Sequence, residues 1–166
     1  MIRAGAGLLI TAMLVQLGAC GWRLRGAQID VDIPPVHVEG TAPDPVLRLM
    51  LREALLQAGA AVSETPDGAD VVLEVMDIAS DRRMLTRAAD GTVGEYQLHY
   101  AVRFQVRERD GGVLLGPTAI AKQRAYTYDD TDVVAKDQEQ SLLLNDLRRE
   151  VITAMLRRLR SLFAKR

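Results

Sequence analysis

Few side chains in this chain could carry out catalysis or hold a metal ion. The sequence contains one cysteine, two histidines and a few serines. His37 and Glu39 lie two residues apart on a predicted strand and could face one metal ion, but two ligands do not make a site. His99 falls on the polar side of another strand, where a solvated or hydrogen-bonded residue is expected. With no G-x-S-x-G motif and no glycine-rich phosphate loop, the sequence predicts no catalytic residue, metal site or cofactor.

The cysteine itself lies in a recognisable setting. Cys20 ends the segment Leu17–Cys20, in which the two residues before it are small. Arg3 precedes an apolar run, Leu8–Val15, that is too short to cross a bilayer core of about 30 Å. The pattern predicts a signal peptide over residues 1–19 and resembles the lipobox of bacterial lipoproteins, in which the cysteine receives a lipid. The alternative is an ordinary secretory peptide, which a lone exposed thiol in an oxidising compartment disfavours.

The remaining chain is predicted to form a tether and one domain. Residues 20–35 would be a lipidated N-terminal tether. Either Trp22 and its neighbouring arginines lie at the lipid headgroups, or Trp22 packs against protein and the arginines are solvated. Residues 36–166 have a length typical of a single α/β domain. The chain has 21 basic and 22 acidic residues, and this near-neutral balance argues against a nucleic-acid partner. A single cysteine also excludes an intramolecular disulfide.

The first part of the domain predicts a β-α-β unit. Residues 36–40 alternate as a strand, and residues 70–78 read as a strand that is apolar on both faces. Between them lies an amphipathic helix with Asp44 as the N-cap, Pro45 as its first residue and Gly59 just beyond its end. The two strands are therefore expected to be parallel, with the helix on one face.

The second part predicts an antiparallel meander followed by a long helix. Residues 80–94 are expected to be a long connection with a turn at its end. Strands follow at residues 96–106, where apolar and polar residues alternate strictly, and at about 118–128. A helix runs from residue 131 or 132 to about 163 with a wide apolar sector. The predicted fold is a two-layer α/β sandwich, β-α-β-β-β-α, with a four-stranded mixed sheet and two helices on one face.

Basic residues in three segments suggest an anion-binding surface. They lie on the predicted connection, on the last strand and near the start of the last helix: Arg82, Arg83, Arg87, Lys122, Arg124 and Lys136. Charge-assisted hydrogen bonds from such groups to phosphate are among the stronger ones formed in water. The alternative is a solvated surface partly neutralised by nearby aspartates. From these residues alone, that alternative is favoured.

Three short segments, taken in order, are similar to one bacterial family. Leu17–Arg25, Glu95–Leu98 and Ala135–Asp137 with Glu139 close behind, together with the order of elements, resemble the LptE family of lipopolysaccharide-assembly lipoproteins. The resemblance implies a non-enzymatic, lipid-anchored protein on the periplasmic side of the outer membrane. Such a protein plugs and helps assemble the large β-barrel LptD, and it binds lipopolysaccharide that is inserted into the outer leaflet.

The resemblance also implies which residues bind lipopolysaccharide. Lys136, within Ala135–Asp137, is the first candidate for contact with a lipid A phosphate. Arg87, before Glu95, is the second. Arg124 on the last strand, one of the basic residues described above, completes the predicted set without being implied by the resemblance. Cys20 is the predicted lipidation site that anchors the protein to the membrane.

Two other classes of function remain as alternatives. A lipoprotein carrier would bind a lipid or acyl ligand in its own cavity without a barrel partner, although the predicted elements leave little room for a wide pocket. A lipid-anchored enzyme is disfavoured by the missing nucleophile, base and metal ligands.

Overall fold

The computed structural model describes residues 33–40, 44–87, 89, 91–128 and 133–164. The predicted signal peptide over 1–19, Cys20 and most of the predicted tether lie outside these residues, so the predicted division of the chain stays a prediction. No helix among the described residues is long and apolar enough to span a membrane.

The described chain forms five strands and two long helices. The strands are β1 Val36–Gly40, β2 Val62–Ser63, β3 Val71–Arg87, β4 Val93–Glu108 and β5 Val113–Thr127. The helices are α1 Pro45–Gln57 and α2 Val133–Phe163, and a short 3₁₀ turn covers Pro66–Gly68. The two-layer mixed α/β class is confirmed, although the sheet has five strands because the two-residue β2 joins the four that were predicted.

The strand order in the sheet is β2-β1-β3-β4-β5. β1 pairs in parallel with β3 and with the short β2, which confirms the β-α-β unit. β3, β4 and β5 form the predicted antiparallel meander. The caps of α1 are also as predicted: Asp44 accepts a hydrogen bond at the start of the helix, and Gly59 has φ +86° just after its end.

The core lies between one face of the sheet and the two helices. Alternate residues of β4 contribute a fully or nearly buried row, and each helix contributes one apolar stripe. The buried residues are Leu98, Tyr100, Val102, Phe104 and Val106 of β4, Leu47, Leu51 and Leu55 of α1, and Leu147, Val151, Met155 and Leu159 of α2. Burial of each large apolar side chain contributes about 1.5–3 kcal/mol. Because the apolar stripes of α1 and α2 are buried in one core with β4, both helices pack on the same face of the sheet.

The predicted connection at residues 80–94 is wrong. β3 continues through Arg87 and pairs with β4 along nearly its whole length, so the segment forms one arm of a long hairpin. Its sequence lacks apolar alternation because most of its side chains are exposed. Backbone hydrogen bonds to the strongly patterned β4 make it a strand despite this composition. β5 likewise begins at Val113, earlier than expected.

The carboxylate of Asp44 joins both helices to the sheet. One oxygen accepts a hydrogen bond from the Leu47 amide of α1 at 2.9 Å. The other accepts from the Tyr100 hydroxyl of β4 at 2.8 Å and from Arg148 Nε of α2 at 3.0 Å. Partial burial acts against ionisation of this group, but the bonds from Leu47, Tyr100 and Arg148 outweigh it and lower the pKa of Asp44 below 3.8.

Replacing Asp44 by Asn tests this junction. Asn can still cap α1, but it leaves Arg148 without a counterion at a site where the arginine side chain is only 14% exposed. We expect the free energy of unfolding at pH 7 to fall by about 2 kcal/mol, measured by urea denaturation. The matched control is Glu64→Gln, which removes the partner of Arg52 at the surface and should change stability little.

The stability of the parent protein and that of Asp44→Asn should depend differently on pH. Because the folded-state pKa of Asp44 is lowered, its stabilisation is present above about pH 3.8 and is lost as pH falls through the folded pKa. The stability difference between the parent and Asp44→Asn should therefore shrink below that pH. A constant difference down to pH 2 would contradict the assigned ion pair.

Candidate functional site

Six side chains lie together where the far ends of β3, β4 and β5 meet the beginning of α2. We call them the distal cluster: Arg82, Tyr96, Tyr126, Tyr128, Lys136 and Gln140. Strand register places Arg82, Tyr96 and Tyr126 on the helix-covered face, because Arg82 is opposite the buried Leu98 and Tyr96 is opposite Tyr126. The side chains come from three strands and one helix, so the cluster depends on the whole sheet being formed.

Arg82 connects the sheet to the helix layer within this cluster. Its Nη1 donates a hydrogen bond to Gln140 Oε1 at 2.7 Å and approaches the Tyr126 hydroxyl at 3.5 Å. Its guanidinium carbon lies 4.3 Å from the centre of the Tyr96 ring, in a cation–π contact. The hydrogen bond with Tyr126 raises the pKa of Arg82, so the guanidinium stays charged.

The tyrosines form the apolar support of the cluster. The Tyr96 and Tyr128 rings meet edge to face with centres 5.0 Å apart, and Tyr96 and Tyr126 are tilted with centres 6.1 Å apart. The Tyr126 hydroxyl also donates to Gln140 Oε1 at 3.0 Å. The Tyr96 ring and the Tyr126 hydroxyl thus both contact the guanidinium of Arg82.

Lys136, the first predicted site residue, lies in this cluster. Its ammonium donates to the Thr127 carbonyl of β5 and to Glu139 Oε2, each at 2.9 Å. The Lys136 side chain is 21% exposed. It is therefore a partly covered cation, held in position by the end of β5 and by its own helix.

The other two predicted residues lie outside the cluster. Arg124 is on the same face as Arg82, across Leu98, at about 10 Å or two strand spacings, and it forms an ion pair with Glu150. Arg87 is five residues beyond Arg82, about 16 Å along β3, where its Nη1 donates to the Gly91 carbonyl at 2.8 Å. The structure therefore groups Lys136 with Arg82 and leaves Arg87 at the hairpin tip.

The arginines expected on a loop are instead on β3. Arg82 is opposite Leu98 and faces the helices, whereas its neighbour Arg83 is opposite Gln97 and faces the other side of the sheet. No helix among the described residues covers that side, which we call the uncovered face. The two arginines cannot act as one basic loop, because successive residues of a strand point to opposite faces. Period-two alternation predicted Tyr96 on the buried face of its strand and Tyr126 and Tyr128 on one side of the next strand, but it did not indicate that the three rings meet.

The histidines have structural partners. His99 Nδ1 lies 2.9 Å from Asp81 Oδ1 across the strand pair, which confirms a hydrogen-bonded sheet residue. His37 Nδ1 lies 3.0 Å from the Ser63 carbonyl, and Glu39 forms an ion pair with Arg107. In the described part of the chain, no group of three or more potential ligands is placed to hold a metal ion. What the distal cluster offers is hydrogen-bond donors and positive charge.

Comparisons with known proteins converge on one family. The family model described as "LptE: Lipopolysaccharide-assembly" matches residues 30–159 of the chain. A curated relative from Photorhabdus laumondii, named LPS-assembly lipoprotein LptE, is 26% identical over 153 residues, covering 92% of this chain and 82% of the relative.

Solved structures share the fold. A minor lipoprotein from Acinetobacter baumannii superposes with a TM-score of 0.66 at 24% identity, covering 79% of this chain and 93% of that one. The rare lipoprotein B from Shewanella oneidensis superposes with a TM-score of 0.63 at 25% identity, covering 75% and 94%. The two-layer architecture is therefore one that solved lipoproteins adopt.

Replacing Arg82 by Met should loosen the start of α2. Met keeps much of the side-chain volume but removes the hydrogen bond to Gln140, which is worth about 1 kcal/mol, or roughly fivefold in local opening. We expect about fivefold faster amide hydrogen exchange in residues 136–141. The matched control is Arg83→Met on the opposite face, and equal effects of the two substitutions would contradict the assigned bridge.

Proposed function

The chain belongs to the LptE family of lipopolysaccharide-assembly proteins, and from this premise we propose that its distal cluster binds the phosphates of lipid A. Membership gives it a role in lipopolysaccharide assembly and a place among the lipoproteins of the cell envelope. The observation that carries the proposal is the convergence of Lys136, Arg82 and three tyrosines at one end of the sheet.

The cluster has the donors that a phosphate requires. The Lys136 ammonium and the Arg82 guanidinium carry two positive charges, and the carboxylate of Glu139 accepts a hydrogen bond from Lys136. A phosphate that approaches Lys136 would take the place of Glu139 as its acceptor, and the guanidinium and tyrosine hydroxyls supply further donors. The cluster also lies near the N-terminal end of α2, where the helix dipole favours an anion.

Arg124 and Arg87 extend the proposed site in two directions. Arg124 lies on the same face as Arg82, and an incoming phosphate would compete with Glu150 for its guanidinium. Arg87 is exposed at the hairpin tip, where its guanidinium donates a hydrogen bond to the Gly91 carbonyl. Lys136 is therefore the principal contact, and these two arginines are secondary ones.

We further propose that the protein is an outer-membrane plug for an LptD-type barrel and not an enzyme. The uncovered face of the sheet presents polar and small side chains, among them Arg83, Gln97, Arg103 and Ala121. This surface suits a barrel lumen, which is itself polar. The lipid on Cys20 would hold the protein at the periplasmic face of the membrane, because buried acyl chains contribute about 0.8 kcal/mol per CH₂ group.

The alternative of a lipid carrier without a barrel would use the groove between α1 and α2. This groove has a volume of about 470 Å³, with an apolar floor that includes Met50, Ala54, Ile152 and Leu156. It runs open along the helix surface, whereas ligand sites usually bury most of their ligand. The barrel proposal is therefore preferred, and co-purification separates the two.

Reversing the charge of Lys136 tests the phosphate site. A charge-assisted hydrogen bond is worth about 1.5–3 kcal/mol, so Lys136→Glu should weaken lipopolysaccharide binding by about 10- to 100-fold in a purified-protein assay. The matched control is Arg149→Glu, since Arg149 lies on the same helix and is also paired with an acidic residue three positions away. If both variants bind equally, Lys136 is not the phosphate contact.

Mild-detergent extraction of the tagged protein tests the partner. We expect a large β-barrel outer-membrane protein to co-purify with the parent and also with Lys136→Glu, because the phosphate site is separate from the uncovered sheet face. The Cys20→Ala variant should retain the barrel after extraction, because the lumen contacts do not need the lipid. Recovery of lipid without any barrel would instead support the carrier.

A further inference from the structure

β5 forms one long edge of the sheet. The strand order places β5 at one end and the two-residue β2 at the other. β5 has 15 residues, and within the described chain no strand pairs with its outer side. An exposed strand edge presents unpaired amide and carbonyl groups, which can pair with another chain.

The backbone groups that face outward can be assigned by register. The Tyr128 amide donates to the Gly94 carbonyl at 3.0 Å, so residue 128 forms a hydrogen-bonded pair with β4. Such pairs recur at every second residue, so the amides and carbonyls of residues 120, 122, 124 and 126 point toward β4. The amides and carbonyls of 119, 121, 123, 125 and 127 therefore point away from the sheet.

The contact between Lys136 and Thr127 agrees with this assignment. Thr127 is one of the outward residues, and its carbonyl accepts a hydrogen bond from the Lys136 ammonium at 2.9 Å. A donor from outside the sheet thus already bonds to this edge. The next four outward positions, moving along β5 away from Thr127, are Ala125, Gln123, Ala121 and Ala119.

Small side chains at these positions leave the edge open to another backbone. Three of the four are alanine, and they lie on the uncovered face of the sheet, opposite Arg103, Ala101 and Gln97 of β4. The stretch also lies on the regular side of the bulge near Pro117, where the register with β4 shifts. The usable edge is therefore residues 119–125, since the Thr127 carbonyl is bonded to Lys136.

Charge on the helix-covered side restricts which strand can pair there. Lys122 and Arg124 both form ion pairs with the single carboxylate of Glu150. The three groups together carry a net positive charge beside the edge. If a second copy paired antiparallel about Gln123, Lys122 would face Arg124 of that copy, and like charges directly opposite each other are destabilising.

We propose that the outer edge of β5 pairs with an extended segment of a partner protein that carries acidic residues at alternate positions. The segment adds a sixth strand beside residues 119–125, with its backbone bonded to the outward groups and its carboxylates facing Lys122 and Arg124. This inference does not require lipopolysaccharide binding. It shares only Arg124 with the phosphate proposal, so Lys136→Glu tests one site and Gln123→Pro tests the other.

Hydrogen exchange on the full-length protein in detergent tests the pairing. The probe is a short peptide of alternating glutamate and valine, and the matched probe replaces each glutamate by lysine. We expect the glutamate peptide to slow exchange at least tenfold at the amides of 119, 121, 123 and 125. The amides of 120, 122 and 124 should change little, because β4 already protects them.

Substitutions at Gln123 separate backbone pairing from surface contact. Gln123→Pro removes an outward amide without breaking the β4 ladder, and proline is tolerated at such edge positions. We expect this variant to bind the glutamate peptide about tenfold more weakly, whereas Gln123→Ala should bind like the parent. Lys122→Glu with Arg124→Glu should reverse the preference from the glutamate to the lysine peptide, which provides a second test if the proline variant folds poorly.

Three results would overturn the proposal. The first is that about 1 mM glutamate peptide adds no protection to the outward amides. A dissociation constant of about 1 mM corresponds to a binding free energy of only about −4 kcal/mol. The second is equal binding of the glutamate and lysine peptides. The third is the same alternating protection from raised protein concentration alone, which would assign the edge to a second copy of this chain.

Discussion

The carboxylate of Asp44 is the contact on which the helix layer depends. It caps α1, accepts a hydrogen bond from the hydroxyl of Tyr100 in the centre of β4, and forms an ion pair with Arg148 of α2. These partners are 56 and 104 residues away from Asp44 in the chain, so one charged group joins the beginning of the domain to its end. Because the site is only partly exposed, the two opposite charges must be satisfied together.

Both helices bury their apolar stripes on the same face of the sheet, where this junction connects them, and this one-sided arrangement has consequences for function. With α1 and α2 on the same face, no helix or strand among the described residues covers the opposite face of the sheet or the outer edge of β5. The covered face ends in the distal cluster, where Arg82 contacts both Tyr96 and Gln140. The fold thus separates a cationic cluster at one end of its sheet from a broad polar surface on the other face.

Periodic patterns predicted most of the elements but not their full lengths. The strict alternation in β4 and the apolar stripes of both helices arise from burial on one face, so they are visible in the sequence. Residues 80–87 carry no such pattern, since Asp81, Arg82 and Arg83 are polar on both faces of the strand. Their conformation is determined by backbone hydrogen bonds to β4, and such pairing does not require a particular pattern of side chains. The two-residue β2 was missed because it is too short to show a period.

The sequence alone contains the residues on which the family resemblance rests, among them Cys20 and the Ala135–Asp137 segment with Lys136. It also predicted the caps of α1. Tertiary structure decided which charges meet. In the folded protein Lys136 lies near Arg82 and the tyrosines, Arg87 lies at a hairpin tip, and Arg124 pairs with Glu150. Helix and strand periods follow from neighbouring residues, whereas contacts between distant residues depend on strand register and helix packing. A register shift of one residue would turn Arg82 away from the helices, and no local pattern specifies that register.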